Sequence, residues 1–243
     1  MLNQDDAKKL AGIKVIETYV HDGMKLGLGS GTTSHLFVRE LGKRVAAGEF
    51  RNLTCTTTSN STTAVAKEVG IALTDVNDID MLDLTVDGPD EIDREFRMIK
   101  GGGACLLWEK IVAHASTRMV TICDESKIVD QLGRFPLPVE VVQYAWKQTE
   151  SAIGRTLPRY DVGAVKMVRR MKDGSPVVTD SGNFIIDCHC GTIGDAEGLE
   201  VALNMIPGVV ENGLFTREAS AMVVGCFDGT AYVSERTAKP RAI

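Results

Sequence analysis

MKLGLGSGTTS, residues 24–34, carries an apolar run into a turn rich in glycine and hydroxyls, and from there into a helical pattern. Met24 to Leu28 reads as a short strand ending in GSGTTS, and Thr33 to Val45 reads as a helix. A strand that feeds a helix through so tight a turn is half of a βαβ unit. The same alternation continues on either side. Asp5 to Val20 has apolar residues at 7, 10, 11, 13, 15 and 16, the spacing of a helix. Leu53 to Thr57 is strand-like, and Ser61 to Val69 is helical with Gly70 as its stop. Leu82 to Val86 is a strand that runs into DGPDEID. The helix Ala104 to Ser116 then leads to a strand at Arg118 to Cys123. This order predicts an α/β fold built of right-handed crossovers, a mostly parallel sheet flanked by helices.

The pattern changes after FPLPVEV, residues 135–141, whose two prolines break any helix and mark a boundary. A helix is expected from Val142 to Gly154, then strands near Val162 to Arg169, Val177 to Thr179 and Asn183 to Cys188. Turns at Lys172-Asp173-Gly174 and Ser181-Gly182 separate them, and a helix follows from Ala196 to Asn204. Hairpins with flanking helices predict a smaller α+β domain over residues 135–206. It would be inserted towards the C-terminal half of a catalytic domain formed by residues 1–134 and 207–243. The stretch Gly208 to Val233 is expected to supply strands that return to the main sheet. No internal repeat is seen, and TTTSNSTT is the one low-complexity patch.

At 243 residues, 44% hydrophobic and 25% charged, the chain is long enough to bury a sizeable core. A net charge of −6 argues against nucleic acid or an anionic membrane as partner, so an anionic ligand would need a few local cations and backbone N–H groups. The N-terminal MLNQDDAKKLAG is polar where a signal peptide is apolar, and no run reaches membrane-spanning length, which predicts a cytoplasmic protein. Six scattered cysteines read as reduced thiols, most of them in the core. In Cys188-His189-Cys190 the thiols would share one face of a strand and the histidine the other, so no metal site is expected.

In an open parallel sheet the residues just past the strand ends bind ligands. The hydroxyls of Ser30, Thr32 and Thr33 with the helix N-terminus form an anion site, or else a tight turn with a hydroxyl N-cap. The loop lacks the Gly-Lys-Ser/Thr of a Walker loop and has Thr32 where a dinucleotide fingerprint needs its third glycine, so no nucleotide cofactor is expected. TTTSNSTT, residues 56–63, is a second hydroxyl-rich helix start, mostly explained by capping. In DGPDEID, Pro89 stiffens the loop and restricts Gly88. Asp87 and Asp90 there would orient sugar hydroxyls or move protons, the alternatives being a solvated acidic turn or a divalent-metal site. In MIKGGGACLLWEK, residues 98–110, Glu109 has Cys105, Leu106, Val112 and Ala113 at helical spacing and so interrupts an apolar face. Burial would raise its pKa towards that of a general base. The alternative is a glutamate at the stripe's edge neutralised by a distant lysine. Lys127 in DESK would supply a cation or lie on the surface.

Together GLGSGTTS, TTSNS, TVDGPDEID, MIKGGGACLLWEKI, CDESKIVDQLGRFPLPVEV, DSGNFIIDC and NMIPGVVENGLF resemble the type A ribose-5-phosphate isomerase family over almost the whole chain. The resemblance implies a Rossmann-like catalytic domain and metal-independent interconversion of ribose 5-phosphate and ribulose 5-phosphate, without cofactor. It implies that Glu109 moves the proton between C2 and C1 through an enediolate, with Lys100 and the N–H groups of Gly101, Gly102 and Gly103 near the oxyanion. Asp87 and Asp90, on the loop with Gly88 and Pro89, would bind hydroxyls and assist ring opening. Ser30, Gly31, Thr32 and Thr33, with Lys127 and Lys8, would hold the phosphate. A homodimer or homotetramer is implied, with the small domain in its contacts. Pro89, Cys105 and Trp108 depart from the family pattern, and Pro89 and Trp108 would reshape the sugar pocket. Two other readings are a sugar-phosphate-sensing binding protein and an acyl-group transferase acting through a glutamate.

Overall fold

The computed structural model describes residues 1–163 and 165–237. Residue 164, inside the strand predicted over 162–169, and residues 238–243 of the last segment lie outside the described residues. The chain forms two compact units. Met1–Pro89, Trp108–Lys127 and the segment from Arg217 onward make one, and Asp90–Leu107 with Ile128–Thr216 makes the other.

The first unit is built on a six-stranded sheet. At its centre β1 (Lys25–Leu28) lies between β2 (Thr54–Thr57) and β3 (Leu84–Asp87), both parallel to it, with Leu26 paired to Cys55 and Leu84. The strand Met119–Asp124 continues beside β3, then Ala219–Gly225 in parallel, then Ala231–Glu235 antiparallel at the edge. Every residue of β3 and of Met119–Asp124 is buried, as expected of interior strands covered on both faces. One face is covered by α1 (Gln4–Tyr19), α2 (Gly31–Ala46) and α3 (Asn60–Glu68). Leu26, Leu28, Val86, Val120, Ile122 and Val223 of the sheet join Val15, Ile16, Phe37, Leu41 and Val65 in one cluster. Each such side chain contributes roughly 1.5–3 kcal/mol by leaving water. Asn3 starts α1 by accepting the Asp6 N–H at 2.8 Å, and Asp5 and Asp6 favour the positive end of its dipole. On the other face Val112 of α4 (Leu106–His114) packs with Ile79 and Leu82.

The second unit has a four-stranded antiparallel sheet in the order Val209–Asn212, Leu137–Val141, Phe184–His189, Lys166–Arg169. Helices α5 (Trp146–Thr156) and α6 (Ala196–Asn204) add Ile153, Leu199 and Leu203 to its core. A three-stranded sheet of Glu91–Ile92, Met98–Ile99 and Leu214–Phe215 completes it.

Several local expectations are corrected. FPLPVEV is not simply a break, because Leu137–Val141 is an interior strand. Pro138 sits at its second position, where the missing N–H costs one rung, and its carbonyl accepts the Gly213 N–H at 2.8 Å. No strand forms over residues 177–179, where Val178 makes only an isolated bridge to Phe184. The returning stretch divides. Ala219–Gly225 and Ala231–Glu235 reach the main sheet, while Val209–Asn212 and Leu214–Phe215 stay in the second unit. Asn212 fixes that corner, donating to Glu200 O and Asn204 Oδ1 and accepting from the Leu214 N–H.

Candidate active site

In the first unit the loop after β1 becomes the start of α2. Ser30 is its N-cap by backbone geometry, yet its side chain makes no capping bond. Its hydroxyl turns instead into a buried cluster, 2.7 Å from Thr58 Oγ1, 2.8 Å from Ser59 Oγ and 3.2 Å from Thr62 Oγ1. Helix α3 is different: Ser59 Oγ accepts the Thr62 N–H at 3.0 Å, so that helix caps itself. The capping explanation therefore suits Ser59 and does not suit Ser30. Four peptide N–H groups begin any helix without an internal partner, and at α2 the cap side chain leaves them to other acceptors. Lys8, on the buried face of α1 and only 6% exposed, donates from Nζ to Thr32 Oγ1 at 3.2 Å. A cation is thereby fixed on this loop.

Asp87 ends β3 and is fully buried. Its Oδ1 accepts from the Ser30 N–H at 3.0 Å, Ser34 Oγ at 3.0 Å and the Gly88 N–H at 2.7 Å. Thr121 Oγ1 donates to the Asp87 carbonyl at 3.1 Å. The anion loop and the first acid of DGPDEID are thus one hydrogen-bonded assembly. Gly29 makes it possible, because a Cβ there would lie 2.2 Å from Asp87 Oδ1. Gly88 and Pro89 follow directly, the proline buried. Glu109 lies on α4 and is 5% exposed, with Val112 at 2% and Ala113 at 6% on the same face. Lys127 ends a short turn, Glu125–Lys127, after Met119–Asp124, and is half-buried.

In the second unit Asp90 and the glycine run meet. Asp90 Oδ2 accepts the Gly102 N–H at 2.7 Å, and a Cβ on Gly102 would come within 2.6 Å of Asp90 Oδ1. Gly101 has φ of +101° and the Ala104 N–H returns to its carbonyl at 3.0 Å, so the glycines form a turn that precedes the helix, which starts at Leu106. Lys100 is 1% exposed, anchored through its N–H to Gly213 O at 2.8 Å, with its ammonium 5.5 Å from the centre of the Phe215 ring.

Arg170 was not singled out in the sequence, yet it clamps this turn. Its Nη1 donates to the carbonyls of Gly101 at 2.8 Å and Gly102 at 2.9 Å, while its other nitrogens hold Asp187. It stands 68 residues from Gly102 in a strand-like stretch, and no local pattern marks it. His35 likewise carries no local sequence signal. Its Nε2 lies 3.3 Å from Thr62 Oγ1, behind the Ser30 cluster, and burial, helped by Arg39, pushes its pKa below the usual value. The Cys-His-Cys stretch has both thiols buried and His189 exposed. Among the described residues no group of three or more His, Cys, Asp or Glu side chains is arranged to hold a metal.

Comparison with known proteins agrees with the sequence resemblance. Residues 54–229 match the family described as "Ribose 5-phosphate isomerase A (phosphoriboisomerase A)". The chain is 65% identical over 234 residues to "Ribose-5-phosphate isomerase A 2" of Yersinia pseudotuberculosis, covering 96% of this chain and 98% of that protein. It is 48% identical to "Ribose-5-phosphate isomerase A" of Parvibaculum lavamentivorans, over 94% and 98% of the two chains. Among solved structures, a D-ribose-5-phosphate isomerase in complex with phospho-erythronic acid superposes with a TM-score of 0.89 at 36% identity, covering 97% of this chain and 100% of the other. The ribose 5-phosphate isomerase of Plasmodium falciparum gives 0.91 at 29% identity, over 96% and 100%. With this identity along nearly its whole length, and a fold that superposes over the same extent, the chain belongs to the ribose 5-phosphate isomerase A family.

Proposed function

We infer that this chain is an aldose–ketose isomerase that interconverts D-ribose 5-phosphate and D-ribulose 5-phosphate, and we propose Glu109 as the base that moves the proton. The observation that carries the assignment is a carboxylate 5% exposed on an otherwise apolar helix face. For a proton carrier such a place supplies a dry surrounding. Glu109 takes the proton from C2 of the open-chain aldose and the electron pair moves onto the C1 oxygen; a proton then passes from the C2 hydroxyl to the C1 oxygen, and Glu109 returns its proton to C1 as the C2 carbonyl forms.

The phosphate is held by Ser30, Gly31, Thr32 and Thr33, with Lys8 and Lys127. This is supported by the uncapped start of α2 and by the Lys8–Thr32 bond. Asp87 assists ring opening and binds hydroxyls beside Gly88 and Pro89. The roles of Asp90 and Lys100 rest on the family resemblance: Asp90 binds hydroxyls, and Lys100 with the turn Gly101–Gly103 stabilises the oxyanion. Within the turn, the Gly102 N–H already serves Asp90, which leaves Gly101 and Gly103 as the backbone donors to the intermediate. The reaction needs neither metal nor nucleotide. It belongs to the non-oxidative pentose phosphate pathway in the cytoplasm, and the enzyme acts as a homodimer or homotetramer with residues 135–206 in its contacts.

In heavy water with a chelator present, the unaltered enzyme should exchange the C2 proton of ribose 5-phosphate. Glu109→Gln should abolish exchange and leave binding of phospho-erythronic acid within a few fold. A glutamine variant that still exchanged would remove Glu109 from the mechanism.

A further inference from the structure

On the face of the first unit that carries α4, a cavity of about 520 Å³ opens between the edge strand β2, the end of α3, the segment around residues 73–76 and α4. None of its lining residues is among those proposed to bind the sugar phosphate, although Trp108, which the family resemblance sets near the sugar pocket, forms part of its wall. Its volume lies within the range of small-molecule sites, and its composition is of that kind, an apolar wall with a few polar groups. Trp108, Ile111 and Leu73 are part of the wall, and Lys67, Asp75 and Thr63 are among the polar groups. Ile111 is 49% exposed although it faces this hollow, so the wall is not closed by the chain's own core.

The charges define what would fit. Lys67 is exposed in the last turn of α3, and among the described residues no carboxylate lies within ion-pair distance of it. Its neighbour Glu68 is taken by Arg39, at 2.7 and 2.9 Å. Asp75 is oriented away from that role, its Oδ1 accepting from both Asn77 N and Nδ2 at 2.9 Å, where it caps the turn Val76–Asp78. One cation and one anion at the rim suit a ligand with a single negative charge at the lysine end better than a phosphate dianion, whose second charge would meet Asp75. An indole wall favours a flat ring, by offset or edge-to-face contact.

We propose that this cavity is a second ligand site, for a planar aromatic monocarboxylate. The ring lies against Trp108, the carboxylate is on Lys67 and the rim is wetted by threonine hydroxyls. Occupancy bears directly on the residue before Glu109. Binding itself stands apart from the isomerase assignment and is tested without turnover.

Calorimetric titration of the full chain with 2-naphthoate should show one saturable site with Kd below about 1 mM, and the neutral 2-naphthamide should bind at least about tenfold more weakly. Lys67→Ala, a change on an exposed helix end that leaves isomerase activity intact, should weaken naphthoate binding about tenfold or more. Trp108→Leu, which retains an apolar wall, should weaken it as well. Naphthoate should still bind when phospho-erythronic acid saturates the sugar-phosphate site. Absence of saturable heat, equal affinity in the Lys67→Ala protein, or displacement by phospho-erythronic acid would each overturn the assignment.

Discussion

A single oxygen, Asp87 Oδ1, receives the Ser30 N–H, the Gly88 N–H and the Ser34 hydroxyl, and a carboxylate oxygen is suited to such convergence because it only accepts. The same contacts that orient the acid also draw the anion loop against β3. Gly29 is the residue that permits the approach. In a Gly29→Ala protein the added methyl would stand 2.2 Å from Asp87 Oδ1, so the carboxylate must swing away or the loop must lift. A displacement of about 1 Å in catalytic groups costs on the order of 10²-fold in rate. The variant is therefore expected to lose about that factor in kcat/KM for ribose 5-phosphate while melting cooperatively. Steady-state kinetics beside a thermal melt is the check, and an alanine variant with near-normal kcat/KM would show that the exact position of Asp87 does not matter.

At the scale of elements, α1 reaches the sheet more closely than helices usually do. A Cβ on Gly225 would sit 1.9 Å from the carbonyl oxygen of Ala7 and 3.2 Å from the Ala11 nitrogen, so the strand Ala219–Gly225 touches the helix backbone itself. Gly225→Ala should push α1 outward. Backbone has no rotamer with which to yield, and overpacking of this kind costs about 1–3 kcal/mol. At about 2–4 °C per kcal/mol, the melting temperature should fall by several degrees. Because Lys8 follows Ala7 on α1 and donates to Thr32, KM for the sugar phosphate should rise as well. An unchanged melting temperature would mean that helix and strand separate without cost. The alternation from α1 to Met119–Asp124 was legible because its helices and strands keep their apolar spacing, and several are bounded by glycine or a hydroxyl, as at Ser30, Ser59 and Gly70. The strand Leu137–Val141 was not, since Pro138 reads as a breaker unless its partners Asp187 and Gly213 are known. Glu91–Ile92 was hidden likewise, its pairing to Met98–Ile99 being invisible in an acidic run. In the candidate site, local motifs pointed to Glu109, Asp87 and the loop after β1. Arg170 and the Ser30–Thr62 cluster depend on contacts between segments distant in sequence, which no single stretch records.

For the molecule as a whole, the pH dependence of stability should carry the mark of one buried acid in the second unit. Glu140 lies on the interior strand Leu137–Val141 and is 1% exposed. Burial raises its pKa above the usual carboxylate value of 4.5. Asn183 Nδ2 at 2.9 Å and Thr179 Oγ1 at 2.8 Å pull it back only in part, and the charges of Glu211 and Asp180 push it further up. The folded state thus holds this proton more tightly than the unfolded chain does. Its contribution to stability is fully present below the unfolded pKa and is lost as pH rises through the folded one. Glu140→Gln keeps an oxygen for both donors and cannot ionise. Urea unfolding of the two proteins at a series of pH values should give midpoints that are nearly equal in mild acid. The parent should then fall progressively below the glutamine variant as the pH climbs above 4.5. The two curves should run parallel again once Glu140 is ionised in both states. Midpoints that tracked each other over the whole range would show that the carboxylate ionises within its strand at no cost. The donors Asn183 and Thr179 would then compensate fully for its burial.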